Sequence, residues 1–237
     1  MSDFNRNATV RGGYADRAVA VDARLRAYML RVYNYMAIGV ALTGAVALLT
    51  FQMASPALLQ SPLMWVFVLA PLALVFFLSF RIHTLSAATA RLLFFIYAAS
   101  LGLSLSTIFY VYTDASIARV FFISAATFGA LSLWGYTTQR DLSGMGTFLF
   151  MGLIGIVIAS LVNIFLKSSG LDWMISIIGV GVFAGLTAYD TQRIKEMYDA
   201  GDDDNSAGRK AVMGALSLYL DFINLFMMLL RLVGDRR

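Results

Sequence analysis

Seven long apolar segments, separated by short polar breaks, organise this chain. They run over residues 28–51, 62–80, 87–111, 116–137, 146–166, 173–194 and 211–232. Each is close to the roughly 20 residues that cross a bilayer as a helix. None shows the short alternating apolar–polar pattern, punctuated by turn clusters, that a transmembrane β-barrel requires. In lipid every backbone N–H and C=O has to be satisfied within its own segment, so each run predicts a helix. The pattern therefore predicts an all-α polytopic bundle of seven spans. Its connections are too short to fold by themselves, which makes residues 27–237 one transmembrane domain. The preceding "MSDFNRNATVRGGYADRAVAVDARLR" (1–26) is polar and basic and lacks the apolar core of a signal peptide; it reads as a flexible cytoplasmic tail.

Composition agrees: 59% of the 237 residues are hydrophobic and only 14% are charged, and the mean hydropathy is +0.75. Soluble domains carry far more charge. There is no cysteine, which removes disulfides, thiol chemistry and thiolate metal sites. The net charge of +4 is a matter of topology, because basic residues near membrane ends are retained in the cytoplasm. It is no signal for a nucleic-acid partner. Counting loops, the basic ones hold Arg81, His83 and Arg91, then Arg140, then Arg193, Lys195, Arg209 and Lys210. The alternate loops hold no excess, which places the N-terminus inside. Seven crossings then put "GDRR" outside, against the preference of Arg231, Arg236 and Arg237; a full crossing and a re-entrant last segment are both open at this level.

Most other features have plain readings. Gly179, Gly181 and Gly185, with Gly152 and Gly155, form small-residue faces that let helices approach closely. Tyr28, Tyr33, Tyr35, Trp65, Trp134 and Trp173 suit headgroup belts or packing. His83 has no second histidine with which to bind a metal. The acidic "GDDDNSAG" (201–208) reads as a solvated loop without EF-hand spacing.

Charges inside spans are different, since an Asp or Arg at a helix centre costs about 2.5–3.5 kcal/mol on insertion scales. Asp221 lies within the last span and Asp190 toward the end of the sixth, in "AYDTQ" (188–192). At about 1.5 Å per residue they fall roughly 15 Å and 8–12 Å above the same membrane border. Antiparallel neighbours bring such depths together. Asn224 shares a helix face with Asp221 and can supply a hydrogen bond. Arg81, at the end of the second span, either snorkels to the headgroups or serves as counter-ion. Two carboxylates in one desolvated site cannot both ionise cheaply; they titrate as a pair and share a proton. Doubly ionised, they offer oxygen ligands suited to Ca²⁺. Asp190 and Asp221 are thus the expected pH sensor and the expected transient Ca²⁺ ligands.

With these residues in view, "ALSLYLDFINLF" (215–226) preceded by "AYDTQ" resembles the transmembrane Bax inhibitor motif family, in its bacterial form; "GLSLS" (102–106) adds weaker support. The resemblance extends from about residue 25 onward. It implies a bundle in which the last helix is central, an inner-membrane location, and a pH-dependent Ca²⁺ leak whose proton sensor is the aspartate pair. It also implies an arginine in the second span that pairs with the first aspartate, for which Arg81 is the candidate. Bacterial relatives are linked to a membrane protease as partner. The leading expectation is a proton-gated cation leak without enzyme activity or tightly bound cofactor. Its partners are the bilayer, Ca²⁺ and protons, and a monomer is favoured. A non-conducting regulator of other membrane proteins is the alternative. An intramembrane aspartyl protease fits Tyr189-Asp190, but Asp221 follows "LYL" where such enzymes carry Gly-x-Gly.

Overall fold

The computed structural model describes residues 3–53 and 63–237, with side chains from residue 22 onward except 63–65 and 68. Most of the charge-free connection "QMASPALLQS" and the Trp65 side chain lie outside the described residues. Among the described residues eight α-helices follow in order: α1 (Asp3–Met53), α2 (Leu63–Arg81), α3 (Ala87–Leu105), the single turn α4 (Ile108–Val111), α5 (Asp114–Thr137), α6 (Ser143–Leu166), α7 (Ser169–Glu196) and α8 (Asp204–Val233). A 3₁₀ turn (Ile82–Thr84) links α2 to α3. Among the described residues six helices are long and apolar enough to cross a membrane, and residues 69–84 form a shorter apolar helix. The seven-span, all-α reading holds. The backbone of α1 is helical from Asp3, through the stretch read as a tail, and its apolar part begins near Tyr28.

Local chemistry sets the ends. Ser86, Thr113 and Ser168 cap α3, α5 and α7, each hydroxyl accepting from the N–H three residues on. Lys167 closes α6 in the left-handed region, at φ 49°. The third span is continuous in hydropathy yet breaks after Leu105. There Ser106 Oγ donates to Leu103 O (2.7 Å) and Thr107 Oγ1 to Ser104 O (3.1 Å), while Ser104 Oγ donates to Phe67 O of α2. Hydroxyls bonding back to their own helix compete with its ladder.

α8 is the axis. In its most apolar window 61% of residues are buried, against 11–44% in the other five long helices. It packs against α1, α3, α5 and α7. Tyr219 shows why this helix is internal: its ring meets Phe94 and Tyr97 edge-on, and its hydroxyl lies 2.6 Å from Thr43 Oγ1. Thr43 is committed to the carbonyls of Gly39 and Ala98, so the tyrosine is the donor. One turn further on, Phe222 packs against Phe121 and Phe128 of α5.

The last helix crosses the whole bundle, with 30 residues or about 45 Å of helix. Its tail docks on the α4–α5 junction: Thr113 N donates to Asp235 O and Arg237 N to Val111 O. Two of the three arginines that spoke against a full crossing have local partners. Arg237 pairs with Asp114 (2.7 Å) and Arg231 faces Asp172 (3.9 Å). The acidic "GDDDNSAG" is only in part a loop, since α8 starts at Asp204. Asn205 Oδ1 accepts from Ala87 N, and Lys210 pairs with Asp202 at 2.6 Å.

Candidate functional site

Every residue of "AYDTQ" in α7 has a separate task. Ala188 is buried where α5 comes closest, opposite Gly135. The Tyr189 ring lies over Gly146 of α6. Thr191 Oγ1 donates to Thr187 O (2.7 Å) and sits 2.9 Å from Ser132 Oγ, which lies 2.6 Å from Tyr33 OH. With Thr191 committed to its own helix, the chain of donors runs Tyr33 to Ser132 to Thr191, tying α1, α5 and α7. Gln192 holds the α5–α6 turn, accepting from Leu142 N and donating to Arg140 O, both at 2.8 Å. Four of the five side chains fix α7 in rotation, and that rotation turns Asp190 inward.

Asp190 and Asp221 line one cavity of about 460 Å³, between α6, α7 and α8. Tyr189, Arg193, Ser217 and Asn224 share its wall. Asp221 is only 4% exposed, and its Oδ2 has no hydrogen-bond partner. No hydrogen bond joins the two carboxylates among the described residues, and the Arg193 guanidinium is the cation that lines this cavity with them. A second cavity of about 360 Å³ meets the first at Asp190, Arg193 and Ser217 and leads past Gly214, Met213 and Lys210 to Asp202. The two partly polar cavities share that wall and between them extend from Asp221 to the α7–α8 loop. A buried acceptor left unpaired costs about 1–3 kcal/mol, and more when charged. Packing alone gives no return for it.

The chain matches the family model described as "Inhibitor of apoptosis-promoting Bax1" over residues 25–237. It belongs to this family. It is 51% identical over 228 residues to the inner membrane protein YbhL of Escherichia coli K12, covering 94% of this chain and 97% of that one. It is 49% identical over 241 residues to the uncharacterized protein RP147 of Rickettsia prowazekii, with both chains fully covered. An uncharacterized protein of Deinococcus radiodurans shares 46% over 213 residues, covering 90% and 92%. The Bax inhibitor resemblance drawn from "AYDTQ" and "ALSLYLDFINLF" is therefore that of the whole chain.

Within this Bax inhibitor family fold Asp190 and Asp221 line the same cavity. Asn224 also reaches the cavity, but its amide nitrogen donates to Leu220 O of its own helix (2.8 Å). Arg81 is exposed, lines neither cavity and has no ion pair among the described residues. The cation beside Asp190 is Arg193, one turn along α7. Sequence reasoning had placed Arg193 with the loop charges; its i+3 spacing from Asp190 was the available signal. Among the described residues no group of three or more His, Cys, Asp or Glu is placed to hold a metal.

Proposed function

We propose that this protein is a pH-sensitive cation leak, with Ca²⁺ favoured, in which protonation of the Asp190–Asp221 pair closes the path. The observation that carries the proposal is the buried, unpartnered Asp221 carboxylate at the inner end of a recess that Asp190 and Arg193 also line. Placement in an inner membrane follows the YbhL relative. An N-terminus in the cytoplasm follows the basic loops gathered at the α7–α8 end.

At low pH the pair is neutral or shares one proton, and α7 and α8 stay in contact. Loss of the last proton sets two negative charges in one desolvated site. Like charges in a desolvated site repel far more strongly than in water, and this repulsion works against the contact of the packed helices. The same ionisation draws in a cation. Ca²⁺ takes about 6–8 oxygen ligands, and two carboxylates each binding through one oxygen, with the Ser217 and Asn224 oxygens, fall short of that number. The ion keeps part of its water and passes. Arg193 competes with it for Asp190.

Purified protein in liposomes loaded with a Ca²⁺ dye tests this. Flux should rise with pH, and Asp190→Asn or Asp221→Asn should flatten the profile. Flux with an unchanged pH profile in both variants would refute the gate. No flux at any pH would favour the non-conducting regulator.

A further inference from the structure

At the other end of α7, roughly 27 Å of helix from Asp190, a separate cavity of about 370 Å³ is lined by Asn163, Lys167, Ser168, Ser169, Asp172, Trp173, Arg231 and Arg236. We propose that it binds the phosphate headgroup of an anionic phospholipid. Three cations face a single carboxylate there. Asp172 meets only Arg231, and at 3.9 Å, well beyond the roughly 2.7–2.9 Å of a tight charged hydrogen bond. Lys167 and Arg236 have no ion-pair partner among the described residues. The cationic excess is uncompensated.

The fold fixes these groups in place. Lys167 is the left-handed cap of α6, and its N–H is held by Asn163 O (2.8 Å). Ser168 N donates to Asn163 Oδ1 (3.0 Å), and Ser168 Oγ caps α7, so the positive end of that 28-residue helix opens into the same cavity. Arg236 is held by the docked tail, whose backbone pairs with Tyr112 and Thr113. The surroundings decide between a lipid and a dissolved anion. Phe165, Leu166 and Trp173 beside the cavity are 85%, 64% and 59% exposed, an apolar apron on the outside of a membrane bundle. A headgroup seated on the cations would lay its acyl chains along that apron, while Trp173 has the amphipathic ring suited to the headgroup level. A free phosphate would use only the cations.

The test is native mass spectrometry of the full chain from detergent, with phosphatidylglycerol, phosphatidylcholine and inorganic phosphate as probes. Phosphatidylglycerol should be retained in preference to phosphatidylcholine. In Lys167→Gln/Arg236→Gln that preference should fall by about tenfold or more, at about fivefold per surface cation. Asp172→Asn should strengthen it. Arg119→Gln, which removes a cation at the same end that pairs instead with Asp235 (2.8 Å), should leave it intact. Each variant is checked for an unchanged melting point. A wild-type preference in the folded double variant, or an equal loss in Arg119→Gln, would overturn the site. Displacement of phosphatidylglycerol by millimolar inorganic phosphate would overturn the lipid assignment.

Discussion

Gly135→Ala is a one-carbon test of how the site is held. A Cβ at Gly135 of α5 would lie 2.3 Å from Ala188 O and 2.9 Å from the Ala188 carbonyl carbon and Cα. Ordinary contact begins near 3.4 Å, so the two helices have to part by about 1 Å. The obstruction is backbone, which cannot rotate away as a side chain can. Overpacking of this kind costs about 1–3 kcal/mol. For a chain of this size each kcal/mol shifts the melting point by about 2–4 °C, so a loss of about 2–12 °C is expected. Gly129→Ala is the control on the same helix, because its Cβ meets open space. The displacement also has a direction: Thr191 is pulled from Ser132, and the α7 turn carrying Asp190 moves with it. The assay is intrinsic tyrosine and tryptophan fluorescence at a fixed scan rate in one detergent, since thiol-reactive dyes have no cysteine to report on. Equal melting points for Gly135→Ala and Gly129→Ala would refute the close α5–α7 approach and the account of how Asp190 is oriented.

Tyr219→Phe should lower the melting point by a few degrees, about 1–2 kcal/mol for a buried hydroxyl pair. Adding Thr43→Val should cost less than the sum of the single changes, as contact at 2.6 Å requires. Gln192→Leu leaves the buried Leu142 N–H and the Arg140 carbonyl unpaired, so amide exchange should speed up at residues 140–142; unchanged exchange there would refute the anchor. Arg193→Gln removes the cation that competes with Ca²⁺ for Asp190 in the shared cavity wall, so flux at permissive pH should rise; unchanged or lower flux contradicts the assigned counter-ion. Lys210→Gln breaks the Lys210–Asp202 pair at the outer end of the recess and should raise flux at permissive pH. Equal flux would show that this pair does not restrict the path.

Span number and the carboxylate pair were legible because both follow from cost. A segment that crosses lipid has to be apolar throughout, and an aspartate inside it stands out against some twenty apolar neighbours. Counting residues from the membrane border also puts the two aspartates at neighbouring depths, and both line one cavity. Rotation was not legible. In a soluble helix an apolar stripe marks the buried face, but a membrane helix is apolar toward lipid and toward protein alike, so hydropathy leaves its facing open. The glycines of α7 show the consequence. Their spacing reads as one face, yet Gly179 and Gly185 meet Met228 and Leu149 while Gly181 faces open space; among the described glycines the tightest contact between two helices belongs to Gly135, which no spacing singled out. The counter-ion went astray for the same reason. Arg81 is a candidate by the family resemblance and its place at the end of a span, whereas Arg193 lies one turn from Asp190 on a helix whose rotation four neighbouring side chains determine. Polar residues in a membrane helix therefore carry the facing information that hydropathy cannot: Thr191 and Gln192 each bond across to α5 or the turn that follows it, and those bonds leave Asp190 one direction in which to point, toward the cavity that Asp221 lines from α8.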